Sequence, residues 1–344
     1  MTDISFESLF QSASALTAGG DKKSENALDR SILNIPRPLQ SDSLTFTIQL
    51  PRYRAYFVKP DDTASPMVQT ARQLYFKGEG RWLVGIVDGV ITVLASDAHS
   101  HFPDVSVSSH IDALWDEGVC DVLQYSLVFE LNRSYNWICI GPDISTLTVS
   151  EVITTPNQRG HKNVAVVTVT PLQASTLQVN MQVNRYFPID LDEMRHNPHQ
   201  SYNVTVLPHL VDALCTTSRS EREPPPNLRS PQGLAAYWLA RHGLGIPEAC
   251  LRETVNVVFP TSGVELVYPA VCVWRHKWSF LPLHSREYLP AMRERLNREL
   301  WLIRNLWIQN LSRSIHTSVT IGPIQDVVEV VAPTCKDTKR RRRK

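Results

Sequence analysis

The chain has 344 residues, of which 42% are hydrophobic and 20% are charged, and its formal net charge is +1. This length and apolar content predict a globular protein with a substantial core, as one large domain or two ordinary ones. No apolar run reaches the roughly 18 to 20 residues that a membrane span needs, and the first residues lack the order of a signal peptide. We therefore expect a soluble, intracellular protein.

Cysteine usage argues against metal fingers and against a disulfide framework. The six cysteines are separated by long, irregular intervals, and none forms a Cys-x-x-Cys pair. We expect them to be reduced thiols. They are Cys120, Cys139, Cys215, Cys250, Cys272 and Cys335.

Residues 1–40 are rich in Ser, Asp, Lys, Gly and Ala, and we expect a mostly disordered leader there. Residues 41–215 form a predicted β-rich part that begins with strands at Leu44–Leu50 and Arg54–Lys59. The next two apolar runs, Trp82–Val87 and Val90–Leu94, are joined by Asp88-Gly89. That dipeptide supplies the positive φ angles of a tight type I′ turn, so a hairpin is predicted.

The rest of this part contains further short runs that are rich in β-branched residues, and the last of them alternates apolar with polar positions. The pattern predicts an antiparallel sheet with one solvated face. The predicted strands are Val122–Leu131, Trp137–Ile140, Val164–Val169 and Leu177–Val183, with a turn at Pro171–Ser175 between the last two.

Residues 216–230 are polar and include three consecutive prolines, which is typical of a linker or a long exposed loop. A short helix should follow, because Ser230 can serve as N-cap, Pro231 fits the first turn, and Gly243 or Gly245 can end it. Residues 231–335 are predicted to form an α+β part that packs on the first part.

This second part should contain a hairpin, Val255–Phe259 with Val264–Val273, a long helix near 285–314, and a final strand at Ile324–Val331. Two i,i+4 ion pairs are expected on the helix, Glu294 with Arg298 and Arg295 with Glu299. We favour a buried core helix over a partner-binding face. Its apolar stripe is Met292, Leu296, Leu300, Ile303, Trp307 and Leu311, widened by Trp301, Leu302, Leu306 and Ile308.

These elements together predict an α+β fold, largely an antiparallel sheet with a capped short helix and a long C-terminal amphipathic helix.

One local string suggests a metal site. Asp97, His99 and His101 directly follow a predicted strand, and they resemble the His-x-His motif that supplies two metal ligands in metal-dependent amidohydrolases. That fold needs eight βα units, whereas the neighbouring sequence predicts antiparallel hairpins. A pair of solvated loop histidines is the alternative. The histidines that could complete a site are His161, His209, His276 and His284.

Other catalytic patterns are absent from the sequence. It contains no Gly-x-Ser-x-Gly elbow, no phosphate-binding Gly-x-x-x-x-Gly-Lys-Ser/Thr loop and no dinucleotide-binding glycine spacing. Cys272 and His276 alternate along a predicted strand, and we interpret them as packing residues. No catalytic residue and no cofactor is therefore predicted.

The sequence ends in six consecutive cations: Lys339, Arg340, Arg341, Arg342, Arg343 and Lys344. Without its last nine residues, which carry seven cations and one anion, the net charge falls from +1 to about −5. Residues 336–344 are therefore expected to form a disordered basic tail that is available to acidic partners. The run is typical of a nuclear-localisation signal, so an import receptor and nucleic acid are the predicted partners and the nucleus is the predicted location.

Two stretches resemble an uncharacterised animal family, the "chromosome 18 open reading frame" family, which carries a domain of unknown function. The resemblance implies a shared domain over most of residues 45–320 and implies no activity. The first stretch contains Arg229, Ser230, Tyr237, Trp238, Gly245, Pro247 and Glu248. The second contains Tyr268, Pro269, Cys272 and the Pro282–Leu296 segment, and a weaker match lies at Leu123–Leu131.

The sequence is thus interpreted as a non-enzymatic nuclear protein, an interaction or scaffold protein with possible electrostatic nucleic-acid contact through its basic tail. Another protein is a further expected partner. The alternative is a metal-dependent hydrolase that uses Asp97, His99 and His101.

Overall fold

The computed structural model describes residues 42–61, 66–96, 101–141, 144–154, 162–173, 175–216, 230–280 and 288–312. Within these residues, fourteen strands and six α-helices form a mixed structure in which every strand pair is antiparallel. The predicted α+β class is confirmed.

The strands are β1 Asp42–Thr47, β2 Arg54–Pro60, β3 Leu83–Val87, β4 Val90–Ala95, β5 Val105–Ile111, β6 Trp137–Cys139, β7 Thr146–Val149, β8 Lys162–Gln173, β9 Thr176–Pro188, β10 Tyr202–Val206, β11 Val211–Thr216, β12 Thr254–Phe259, β13 Val264–Pro269 and β14 Val273–Phe280. The α-helices are α1 Met67–Gly78, α2 Asp116–Tyr135, α3 Glu151–Thr154, α4 Leu191–His196, α5 Pro231–His242 and α6 Tyr288–Ser312. Two 3-10 helices, Glu248–Leu251 and Ala270–Cys272, flank β12 and β13.

The smaller sheet has four strands in the order β3-β4-β2-β5. Its β3–β4 hairpin closes with Val87 opposite Val90, and the two loop residues have positive φ angles of 50° at Asp88 and 75° at Gly89. This is the backbone that a type I′ turn requires. The predicted hairpin is confirmed.

Helix α2 lies between the two sheets. It packs against β3 on one side and β8 on the other, and no side chain from Gly118 to Arg133 is exposed. Strand β3 approaches the helix so closely that a Cβ at Gly85 would lie 2.6 Å from the Cα of Val122. Ser126 completes the contact, because its hydroxyl accepts from the N–H of Val84 (2.8 Å) and donates to the carbonyl of Val84 (3.1 Å).

The strand predicted at Val122–Leu131 is wrong, because these residues form the middle of α2. The reason is burial on all sides. A helix that is covered all round has apolar residues on every face, so its sequence loses the 3.6-residue period and resembles a buried strand.

The larger sheet has ten strands, with the order β13-β12-β11-β10-β14-β9-β8-β7-β6 and with β1 also paired to β9. One edge of β9 is shared, because β1 pairs with residues 176–181 and β14 pairs with residues 184–188. The predicted β8–β9 hairpin is confirmed, and β9 alternates as expected. Its second face is half-buried rather than solvated.

Helix α5 has both of its predicted caps. The Ser230 hydroxyl accepts from the N–H of Gly233 at 3.0 Å, and Pro231 occupies the first turn. At the other end Gly243 has a φ of 68°, and the N–H groups of Gly243 and Leu244 donate to the carbonyls of Leu239 and Trp238. The predicted boundaries are confirmed.

The hairpin predicted around residues 260–263 forms between β12 and β13, but its second strand ends earlier than expected. A 3-10 helix at Ala270–Cys272 replaces the end of the predicted Val264–Val273 strand. The predicted strand at Ile324–Val331 lies outside the described residues, as do the leader 1–40 and the basic tail.

The proposed division of the chain stays a prediction. Strands β10 and β11 lie in the predicted β-rich part, yet they pair with β14 and β12 of the predicted α+β part. Of the predicted linker, the described residues include only its two ends, at Thr216 and Ser230. None of the described helices is both long enough and apolar enough to cross a membrane.

Candidate functional site

Helix α6 buries one stripe of large side chains against the rest of the protein. It packs on β1, β9 and α2, and the Trp307 ring meets Phe46 edge-on with ring centroids 5.7 Å apart. The predicted core stripe is confirmed. Its members, all buried, are Met292, Leu296, Leu300, Ile303, Trp307 and Leu311.

A buried hydrogen-bond chain fixes the second half of α6. The indole N–H of Trp307 donates to the Tyr75 hydroxyl (3.0 Å), and that hydroxyl donates to the carboxylate of Glu130 (2.6 Å). Arg133 and Ser134 donate to the same carboxylate at 3.0 Å and 2.6 Å. Burial and the adjacent Glu130 carboxylate raise the pKa of Tyr75 well above its usual value, so the phenol stays a donor. This series of hydrogen bonds joins α1, α2 and α6.

A second polar contact fixes the first half of α6. The buried carboxylate of Glu299 accepts from the Trp137 indole N–H and from Arg295 Nε, both at 2.8 Å. Arg295 also donates to the carbonyl of Tyr135 (2.9 Å), and its guanidinium lies 5.5 Å from the centre of the Trp137 ring. The predicted pair of Arg295 with Glu299 is confirmed. Because α6 is held at two points, the direction of its free face is fixed as well.

The free face of α6 presents an exposed tryptophan between arginines. Trp301 is 61% exposed and Leu302 is 42% exposed, whereas both were predicted to widen the buried stripe. Arg298 and Arg304 are exposed three residues before and three residues after Trp301. Residues three apart are neighbours on a helix surface, so Arg298 and Arg304 lie on either side of Trp301 along this face. We name Arg298, Trp301 and Arg304 the outer face of α6.

The two arginines of the outer face have no counter-ion among the described residues. The predicted pair of Glu294 with Arg298 does not form, and no described residue makes an ion pair or hydrogen bond with Arg298 or Arg304. This face could have been found from the sequence, because each residue of a helix is rotated by about 100° from the one before it. Trp301 follows Leu300, at the centre of the stripe, and so is turned toward the side of the helix.

A second cluster of aromatic and imidazole rings lies at the end of α5. The His242 ring centre is 4.8 Å from that of Trp238 and 6.0 Å from that of His209. Arg72 of α1 donates to the carbonyls of Ala240 and Arg241 at 3.3 and 3.2 Å.

The histidines of this cluster have lowered pKa values. The pKa of His242 is lowered to about 3, mainly by burial and to a smaller extent by the charges of His209, Arg72 and Arg241. Burial also lowers the pKa of His209. Both imidazoles are therefore neutral at pH 7.

The predicted metal ligands are not brought together in the part of the chain that the structure describes. Asp97 and His99 lie outside it, in residues 97–100, and His101 is exposed. Of the other histidines, His161 and His284 also lie outside, and the ring of His209 packs near that of His242. No group of three or more His, Cys, Asp or Glu that could hold a metal ion occurs among the described residues.

Two further features, a cleft and the described cysteines, offer little capacity for binding or reaction. A cleft of about 290 Å³ opens beside β10 and β11, where Arg275 is already bound to both carboxylate oxygens of Glu193 at 2.7 and 3.2 Å. The five described cysteines are free thiols, as predicted, and burial raises the pKa of Cys215 to about 12. The basic run Lys339–Lys344 lies outside the described residues.

No protein-family model and no curated protein sequence matches the chain. The resemblance to the uncharacterised animal family therefore stays a prediction.

Solved structures of Argonaute and Piwi proteins match at low identity. Clostridium butyricum Argonaute bound to a guide DNA and a 19-mer target DNA is 12% identical, with a TM-score of 0.36, over 78% of this chain and 39% of that one. A. aeolicus Argonaute is 11% identical, with a TM-score of 0.37, over 79% and 42%. Drosophila Piwi is 10% identical, with a TM-score of 0.38, over 79% and 41%. The chain thus spans about two fifths of the length of these proteins.

These matches contradict the interpretation of the chain as a non-enzymatic nuclear interaction or scaffold protein, because the matching structures are Argonaute and Piwi proteins. The molecular role in that interpretation is therefore wrong, whereas the nuclear location stays a prediction. With TM-scores this low, the likeness carries no argument about what this chain binds.

Proposed function

We propose that this chain binds nucleic acid through the outer face of α6 and through the basic segment Lys339–Lys344. The single observation that carries the proposal is the outer face itself. It places an exposed tryptophan between two exposed arginines that have no carboxylate partner among the described residues, on a helix whose opposite side is fixed. Guanidinium groups bind phosphate with paired hydrogen bonds, and an aromatic ring supplies an apolar surface for a base or sugar.

Local charge matters here because the bulk of the chain is acidic. Without its last nine residues the sequence carries a net charge of about −5, which repels a polyanion at long range. Binding must therefore be supplied by local cationic features. Arg298 and Arg304 provide one on the helix, and the six consecutive cations provide the other.

The test measures salt dependence with the full-length chain. Fluorescence anisotropy of a labelled 20-nucleotide single strand, taken between 50 and 200 mM salt, yields the slope of log K against log salt. The double variant R298Q/R304Q should weaken binding and reduce the slope by about 1.4, because each lost phosphate contact removes about 0.7. Deletion of residues 339–344 should reduce the slope by up to about 4.

A matched control removes two exposed cations elsewhere. The variant K59Q/R252Q changes the net charge by the same amount but alters β2 and the segment after Leu251. It should leave the slope unchanged. Absence of binding at 50 mM salt, or equal losses in the two double variants, would contradict the proposed function.

We also propose a nuclear location, with the basic segment Lys339–Lys344 recognised by an import receptor. A run of lysines and arginines suits the acidic groove of such a receptor. In cells, a fluorescent fusion lacking residues 339–344 should move toward the cytoplasm compared with the complete chain. A nuclear fraction that does not change on deletion would exclude this role of the segment.

A further inference from the structure

We infer that the outer face of α6 selects single strands over duplexes, because Trp301 stacks on an unpaired base while Arg298 and Arg304 hold the flanking phosphates. This inference rests on the proposed function and adds the class of nucleic acid that the site takes.

The first step is the exposure of the indole. At 61% exposed, Trp301 presents most of its ring surface to solvent, although burial of an indole contributes strongly to stability in other places on this chain. The opposite side of the helix is held by Trp307 and Glu299, so the helix cannot rotate to hide the ring. On a fixed helix, a tryptophan has only two side-chain torsions left to order, so little conformational entropy is lost when a flat partner covers its ring.

The second step is the spacing of the charges. Arg298 and Arg304 are six residues apart, which corresponds to about 9 Å along the helix axis. Trp301 lies midway between them. A strand that runs along the helix can therefore place one phosphate on each guanidinium while the base between them covers the indole.

The third step separates single strands from duplexes. In a duplex both faces of an internal base are already stacked and its edge is paired, so the indole has no base surface to cover. In a single strand a base can turn outward at little cost, and aromatic stacking tolerates any sequence. Two polar residues, Asn297 and Asn305, lie four residues before and four residues after Trp301, so they are its neighbours on the same face of the helix.

The experiment compares three labelled probes on the full-length chain: a 12-nucleotide single strand, the same strand annealed to its complement, and an abasic phosphodiester of the same length. The wild-type chain should bind the single strand more tightly than the duplex or the abasic probe. Trp301→Ala should weaken single-strand binding by roughly 5- to 150-fold, the range measured for loss of one base–aromatic stack, and should leave abasic binding within about twofold.

Three variants make the result specific. Trp301→Phe should recover part of the affinity, because it retains an aromatic ring. Leu302→Ala removes a neighbouring exposed side chain of the same helix and should change nothing. Glu294 lies seven residues before Trp301 and therefore on the same side of the helix. Because Glu294→Gln removes a negative charge near the phosphates, it should strengthen binding of all three probes.

The outcomes distinguish the two proposals. If no probe binds, the proposed function fails and this inference fails with it. If R298Q/R304Q weakens binding while Trp301→Ala does not, the proposed function stands and stacking is overturned. Equal losses of Trp301→Ala on single-stranded and abasic probes would also overturn stacking. If Trp301→Ala instead releases a co-purifying protein and no probe binds, the outer face is a protein interface.

Discussion

Helices α2 and α6 are both long and rich in apolar residues, yet their surroundings differ. Helix α2 is enclosed by β3, β8 and α6, and none of its side chains from Gly118 to Arg133 is exposed. Helix α6 buries one stripe and leaves the other side to solvent, including Trp301. The comparison shows that apolar content alone does not locate a core. A helix with neighbours on every side serves the fold, whereas a helix with a fixed inner face can present an outer one.

The two helices also use polar groups differently. In α2, Ser126 and Glu130 are buried and all their contacts lie inside the protein. In α6, Trp307 and Glu299 point inward and anchor the helix, while Arg298 and Arg304 point outward without a described partner. Buried polar groups must be paired to avoid a desolvation cost, and solvent-exposed ones need not be.

The largest expected effect contrasts the two faces of α6. Trp307→Ala should lower the free energy of unfolding by roughly 3 to 5 kcal/mol, because it opens a cavity beside Phe46 and leaves the Tyr75 hydroxyl without a donor. Trp301→Ala is the matched control and should change it by less than about 0.5 kcal/mol. Chemical denaturation measures both. Equal effects of the two substitutions would remove the distinction between an inner and an outer face.

The next effect tests the enclosure of α2. Gly85→Ala should lower the free energy of unfolding by up to about 3 kcal/mol, because the new methyl group would lie 2.6 Å from the backbone of Val122. Gly245→Ala is the control, since a Cβ there meets no atom within 4 Å. Thermal unfolding of the two variants gives the comparison. A Gly85→Ala variant as stable as wild type would mean that α2 is not tightly held against β3.

The smallest expected effect concerns the end of helix α5. Its end buries His242, whose pKa is lowered to about 3 from an unfolded value near 6.5. As the pH falls below 6.5, His242 therefore takes up a proton in the unfolded state but not in the folded state. The free energy of unfolding falls as a result. At pH 5 the loss should be about 2 kcal/mol from this one group.

Measurements of the unfolding free energy at pH 7.5 and pH 5.0 test this effect, with His242→Gln as the comparison. The substituted chain should show a smaller loss between the two pH values. A loss of the same size in both proteins would mean that protonation of His242 does not affect folding.

Local chemistry explains which elements could be predicted. The β3–β4 hairpin depends on Asp88-Gly89, and α5 depends on Ser230, Pro231 and Gly243; each is a signal carried by a few adjacent residues. The stripe of α6 could be predicted as well, because a helix with one buried face keeps its 3.6-residue period. Helix α2 could not, because burial on all sides removes that period.

The candidate site was only partly predictable. Arg298 and Trp301 were both visible in the sequence, but the expected Glu294–Arg298 pair suggested a neutralised surface and Trp301 was assigned to the core. Exposure depends on what packs against a residue, and those neighbours come from β1, β9 and α2, far away in the chain. The string of Asp97, His99 and His101 is an example of a local motif that suggested a site. Such a motif cannot specify which distant ligands approach it.

By itself, the sequence determined the turns, the caps of α5, the apolar stripe of α6 and the concentration of positive charge at Lys339–Lys344, because each depends on residues that are near one another in the chain. Only the tertiary structure decided that α2 is enclosed, that β14 joins β10 to β9, and that Trp301 faces solvent between two arginines. These features are set by long-range packing. A side chain is buried or exposed according to which distant segments cover it, and covering is a property of the folded chain rather than of any local run of residues.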